Sequence, residues 1–134
     1  MGVTLRDFLA RAEARRIIYG QWDCCLWLAD WGRVLTGTDA AAHLRGRYRT
    51  ALGAERVLRR EGGLREVIGR GAALVGMKPL QEPKEGAVGV VRVLSKPGVI
   101  REVGAIYNGR RWAVLAPAGI LALSCDAEAM WGLD

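Results

Sequence analysis

The sequence predicts an α+β fold, with N-terminal helices packed on a C-terminal antiparallel sheet. Three observations predict it. Before Lys78, apolar residues recur at helical spacing behind residues suited to cap helices. From Lys78 onward the chain breaks into short runs rich in Val and Ile. Turn signals separate those runs at Lys96-Pro97-Gly98, Asn108-Gly109 and Pro117-Ala118-Gly119.

Thr4 and Asp7 form a capping-box pattern ahead of Leu5, Phe8, Leu9 and Ala12, predicting a helix from about Leu5 to Arg16. A connector, Ile17 to Gln21, contains Gly20. Asp23 then caps a second helix that runs to Thr36 and stops at Gly37. On this helix Cys24, Trp27, Leu28, Trp31 and Leu35 share one face. Cys25, Ala29 and Gly32 make a second face of small residues that suits close approach of another backbone. Leu26, Asp30 and Arg33 are left to face outward, so the helix is the most buried and the central one. Thr50 caps a third helix, "ALGAERVLRRE", ended by Gly62-Gly63, and "LREVIGR" makes a short helical turn. Four strands follow: "GAVGVVRV", "VIREVGAIYN", "RRWAVLA" and "GILALS". Asn108-Gly109 predicts a type I′ hairpin, and Asp126 a cap for a last short helix, "AEAMWG". Nothing divides the chain, so residues 1–134 are expected to form one domain.

Composition narrows the function classes. The 134 residues are 51% hydrophobic and 25% charged, an ordinary globular profile. No apolar run reaches the ~18–20 residues of a membrane span, and the N-terminus carries no signal-peptide core, which predicts synthesis in a reducing cytoplasm. Three cysteines and one histidine, with no Cys-x-x-Cys, argue against a disulfide framework and against zinc. The glycines form no phosphate loop, and no cofactor is implied. The net charge is +6, and the arginines concentrate between Arg45 and Arg65. Arg45, Arg47 and Arg49, with Tyr48 among them, are candidate binding residues for an anionic partner. The alternative for them is a solvated face. Without an alternating aromatic platform, nucleic acid is the weakest of the partner readings.

The chemistry concentrates at "DCC". A cysteine in the first turn of a helix meets partial positive charge and free N–H groups, which favour thiolate. Cys24, directly after the cap, is the candidate nucleophile, while Cys25 points towards the small-residue face as core. Cys125 is expected to be structural.

Asp-Cys at the head of a central helix, followed by "GAVGVV" and "REVGAIYNGRRWAVLAP", resembles the NlpC-type cysteine peptidases of papain-like fold. The run of Asp-Cys-Cys, Ala-Asp-Trp, Thr-Gly and "RGRYRT" is similar to small NlpC-like proteins of tailed phages, prophages and gene transfer agents. The resemblance implies a nucleophile at Cys24 and a histidine opening the strand "EVGAIYNG". Glu102 stands at that position, and the next strand offers only Ala113, Val114 and Leu115 where a third polar member belongs. His43, the one imidazole, is then the remaining candidate base; the alternative for it is a surface or capping histidine. The resemblance therefore implies a component of a phage or phage-like tail, near its tip or baseplate. It would be made in the bacterial host cytoplasm and would contact neighbouring tail proteins through a peptidase-like frame with a degenerate site. The alternatives are an active thiol hydrolase of cell-wall peptidoglycan and a small basic nucleic-acid binder.

Overall fold

The computed structural model describes residues 3–117 and 119–134, so Ala118 of the predicted Pro117-Ala118-Gly119 turn lies outside the described residues. Thr4 opens α1 (Leu5–Ala12), its hydroxyl accepting the Asp7 N–H at 3.1 Å. The helix ends at Ala12 rather than Arg16. Its buried stripe Leu5, Phe8 and Ala12 stops there, and Arg15 lies over the Trp22 ring, 4.4 Å from the centroid. Helix α2 (Cys24–Thr36) begins at the Asp23 cap and ends at Gly37, which takes φ 83° and returns its N–H to the Arg33 carbonyl. Thr50 caps α3 (Ala51–Arg60) through the Gly53 N–H.

The expected short turn at Leu64 is a full helix, α4 (Leu64–Leu74). Val67, Ile68 and Ala72 keep the helical stripe going across Gly69 and Gly71, two glycines that a sequence reading takes as breakers. Gly69 is needed for packing, since a Cβ there would stand 3.1 Å from the Trp131 ring.

Six strands follow: β1 (Lys78–Pro79), β2 (Val88–Lys96), β3 (Val99–Tyr107), β4 (Trp112–Ala116), β5 (Gly119–Leu123) and β6 (Ala129–Gly132). Their order in the sheet is β1-β6-β2-β3-β4-β5, with every pairing antiparallel. The predicted C-terminal helix is thus a strand, inserted between β1 and β2. The reason is visible in its side chains. Trp131 packs with the helix-side core and Met130 with the cluster on the far face, a period of two that a helix would break. A helix of one turn would also carry the full nucleation cost for few hydrogen bonds.

The β3–β4 turn differs from the type I′ expectation as well. Asn108 N–H donates to the Arg111 carbonyl, so the tip residues are Gly109 and Arg110. Gly109 alone takes a positive φ, 104°, and the Asn108 side chain accepts from the Arg110 and Arg111 N–H groups. An Asx-type turn has displaced the register by one residue.

The core divides into three clusters. Phe8, Trp22, Trp27, Trp31, Val90 and Ile106 fill the space between helices and sheet. Leu26, Leu44, Tyr48, Val57 and Val67 make a second cluster around the segment following α2. Leu26 is fully buried there, contrary to its expected outward position, because Leu44 and Tyr48 cover that side of α2. Leu35, expected inside, is exposed. On the far face of the sheet Trp112 lies across Gly89, where a Cβ would meet its ring at 2.7 Å.

α2 sits directly on β3 at Gly104. A Cβ at Gly104 would be 2.9 Å from Leu28 Cδ2 and 3.4 Å from the Cys24 carbonyl oxygen. Beyond Val90, β2 has left β6, and β3 meets β4 only at Ile106 and Tyr107. The intervening stretch of β2 and β3 is a two-stranded arm. It carries the cross-strand pair Leu94 and Ile100, both largely exposed.

Candidate functional site

Asp23 organises the start of α2. Its carboxylate is 2% exposed and accepts four hydrogen bonds. The N–H groups of Cys25 and Leu26 donate to Oδ1 at 3.1 and 3.0 Å, the N-cap pattern. The Gly20 N–H and the Tyr48 hydroxyl donate to Oδ2 at 3.0 and 2.8 Å. Burial of a carboxylate is tolerable only with this degree of satisfaction. Burial first, then the bond to Asp23, pushes the Tyr48 phenol pKa up, so it remains the donor. Gly20 is required by the close approach of Tyr48. At φ 86°, a Cβ on residue 20 would fall 2.0 Å from the Tyr48 carbonyl oxygen.

Cys24 follows the cap, as the sequence predicts, and is partly buried against the helix-side core. Its pKa is raised. Burial is the first cause and the neighbouring Asp23 charge the second, while Arg101 and the N–H groups of Cys24 and Cys25 pull the other way. Helix-terminus activation is therefore present and outweighed. Cys25 belongs to the second cluster, where burial, then the neighbouring Cys24 and Asp23, pushes its thiol up to about 12.

The structure does not bring His43 to Cys24. The imidazole is exposed, and its Nε2 is 2.9 Å from Glu61 Oε1 at the end of α3. Among the described residues no hydrogen bond joins it to either cysteine. Glu102 lies on the helix-facing side of β3, two residues before Gly104, in register with Arg92. Its carboxylate is held by Arg65 at the start of α4, with Nε 3.1 Å from Oε1 and Nη2 on Oε2. Arg65, and then the more distant Arg92, hold its pKa below the usual carboxylate range. Glu128 bridges Arg65 and Arg92 at 3.7 and 3.0 Å, completing a surface network of four charges. Glu102 is thus a fixed anion.

The "RGRYRT" residues divide between inside and outside. Arg45 spans Asp30 of α2 and Asp39 of the following segment, at 2.7 and 2.8 Å. Tyr48 is buried and offers no face for stacking. Arg47 and Arg49 are exposed, Arg47 touching the His43 carbonyl at 3.3 Å. Two of the four expected binding residues therefore hold the loop to α2.

Sequence reasoning missed a recess of about 440 Å³ between α2, α4 and the segment after α2. The small face of α2, expected to admit another backbone, lines this space. The recess opens to solvent past His43, Arg70 and Leu74, and its lining is mostly apolar. It can take up solvent or a guest. Glu61, Arg65 and Arg70 were also missed. The small-residue stripe was the available signal for the recess, and the partners Glu61 and Arg65 left none.

No helix is long and apolar enough to cross a membrane among the described residues. Fold and site together define an α+β domain whose central helix begins with a buried aspartate and a cysteine pair. Residues 2–133 match the model of the family described as a domain of unknown function, DUF6950, and the chain belongs to that family. No curated protein and no solved structure matches it.

Proposed function

We propose that this chain is a non-catalytic docking component of a phage or phage-like tail, keeping a peptidase-like frame without peptidase chemistry. One observation carries the loss of chemistry. Among the described residues no base is hydrogen-bonded to the Cys24 thiol, and burial and then Asp23 raise its pKa. Thiol acyl transfer needs a group that accepts the thiol proton and later protonates the leaving amine. Glu102, tied to Arg65, and His43, tied to Glu61, do neither from where they stand. The contact surface is the β2–β3 arm, whose strand edges are open and whose Leu94, Val99 and Ile100 are exposed. On this reading the chain is made in the bacterial cytoplasm and carried into the particle.

The test has two arms. Wild type and Cys24→Ala are compared for release of peptide cross-links from peptidoglycan, and neither should exceed background. In a Cys125→Ser background, alkylation of the remaining thiols should rise only above the free-thiol pKa of about 8.5. Particles are then purified from cells making Leu94→Asp/Ile100→Asp or Cys24→Ala chains. The arm variant should be missing from particles and the cysteine variant retained. Cleavage that depends on Cys24 would establish the hydrolase reading instead. Steeply salt-dependent binding to DNA, with incorporation unaffected, would favour the nucleic-acid reading.

A further inference from the structure

The recess between α2 and α4 takes no part in the docking surface, and its lining has a definite chemical character. Leu28, Leu44, Val67, Ile68, Val75 and Met77 supply aliphatic walls, and none of the chain's five tryptophans reaches it. The polar lining consists of Cys25, buried, with His43 and Arg70, both exposed. We infer that the recess binds the hydrocarbon chain of a single-chain amphiphile with an anionic head, the chain among the aliphatic side chains and the head at Arg70.

Three observations support this occupant. The first is that glycine stands at two lining positions where a larger residue would fit. A Cβ at Gly32 would lie 3.6 Å from Val75 Cγ1, and one at Gly71 3.5 Å from Ala40 Cβ, both ordinary contacts. Alanine would fit either helical position and is the better helix former, so close packing does not explain the glycines. Arg45 pins the segment beside the recess through Asp30 and Asp39, which holds the wall in place whether or not the space is filled.

The second is the lining itself. Aliphatic walls give a flat ring a stacking partner only at the rim, in His43 and Arg70, whereas a flexible chain gains contact along its whole length. The Cys25 thiol is uncharged at neutral pH, so no charge stands inside. The recess is roughly three times the ~150 Å³ of a dry cavity that takes up benzene, and falls in the ~300–1,000 Å³ range of ligand pockets.

The third is the rim. Arg70 gives one N–H to the Glu61 carbonyl, and its other terminal nitrogen is 3.7 Å from Glu66, a loose contact. A guanidinium has five N–H donors, so capacity remains for a carboxylate. His43 is already engaged by Glu61 and leaves Arg70 as the committed cation.

The experiment titrates the full chain with hexanoate, octanoate, decanoate and dodecanoate below their micelle concentrations. Affinity should rise roughly fourfold per added methylene, as apolar transfer dictates, until the recess is full. Decanoate should bind at least several-fold more tightly than decyltrimethylammonium, and Arg70→Gln should remove that preference while leaving decanol binding intact. Ala29→Leu, which fills the recess, should lower decanoate affinity tenfold or more at an unchanged melting temperature. Should that variant fail to fold, Gly32→Ala and the carbon-13 methyl signal of Met77 serve instead, and decanoate must shift that signal in the wild type. Absence of binding by any chain length overturns the proposal, as does a Met77 signal that decanoate leaves in place. Decyltrimethylammonium binding as tightly as decanoate overturns the head-group assignment.

Discussion

At the scale of single residues, Asp23 carries more of the local structure than either cysteine. Its role as a helix cap is readable from its position before an apolar-periodic run. Its fourth donor is not, because Tyr48 lies 25 residues away and nothing in "RGRYRT" says which way its ring turns. Tyr48→Phe removes the hydroxyl and keeps the ring, so urea unfolding should show a loss of about 2 kcal/mol, the worth of a hydrogen bond to a charged group. An unchanged midpoint would mean the hydroxyl is dispensable. The same distance problem hid the site. The sequence placed Cys24 at a helix start, where thiolate is favoured, but not the surrounding burial that reverses the direction. His43 and Glu102 were visible as candidates, whereas their partners Glu61 and Arg65 depend on how α3 and α4 pack.

Among the elements, periodicity read well where one face dominates and poorly where two are buried. The sequence marks α2 from cap to stop but not the inward turn of Leu26, because a helix buried on several sides leaves no polar stripe to orient it. β6 was lost for a related reason. The six residues "AEAMWG" following Asp126 satisfy a helix-start pattern, and only the strands on either side of β6 decide otherwise. Gly104 shows how tightly two elements can be joined by one absent methyl. Gly104→Ala would set a Cβ 2.9 Å from Leu28 and push α2 away from β3. Overpacking of this kind costs ~1–3 kcal/mol, and the melting temperature should fall. If it does not, α2 has room to shift that the present packing conceals. The same alanine at Gly71 meets Ala40 at 3.5 Å and should be tolerated.

For the molecule as a whole, the net charge of +6 was plain in the sequence, but the use of that charge was not. Arg45 and Arg65 are spent on internal pairs that hold the loop after α2 and the base of the arm. Acid should loosen both. The bond to Arg45 keeps Asp39 below its ordinary pKa, and Arg65 does the same for Glu102. Their stabilisation is complete above the unfolded carboxylate values near 4 and is lost as pH falls through the depressed folded values. Asp30 has the opposite sign, since burial raises its pKa despite Arg45. Melting temperature should therefore fall in acid, and Asp39→Asn should flatten that slope while lowering stability at pH 7. An identical slope in the variant would remove Asp39 from the account. The sheet order sets a schedule for synthesis. β2 to β5 pair with neighbours in sequence and can form as they are made. β1 pairs only with β6, which lies some fifty residues further along the chain. Until Ala129–Gly132 has been synthesised, β1 has no strand to pair with and the β6-facing edge of β2 stands open. That edge is the interval's point of exposure to chaperones or to wrong pairing.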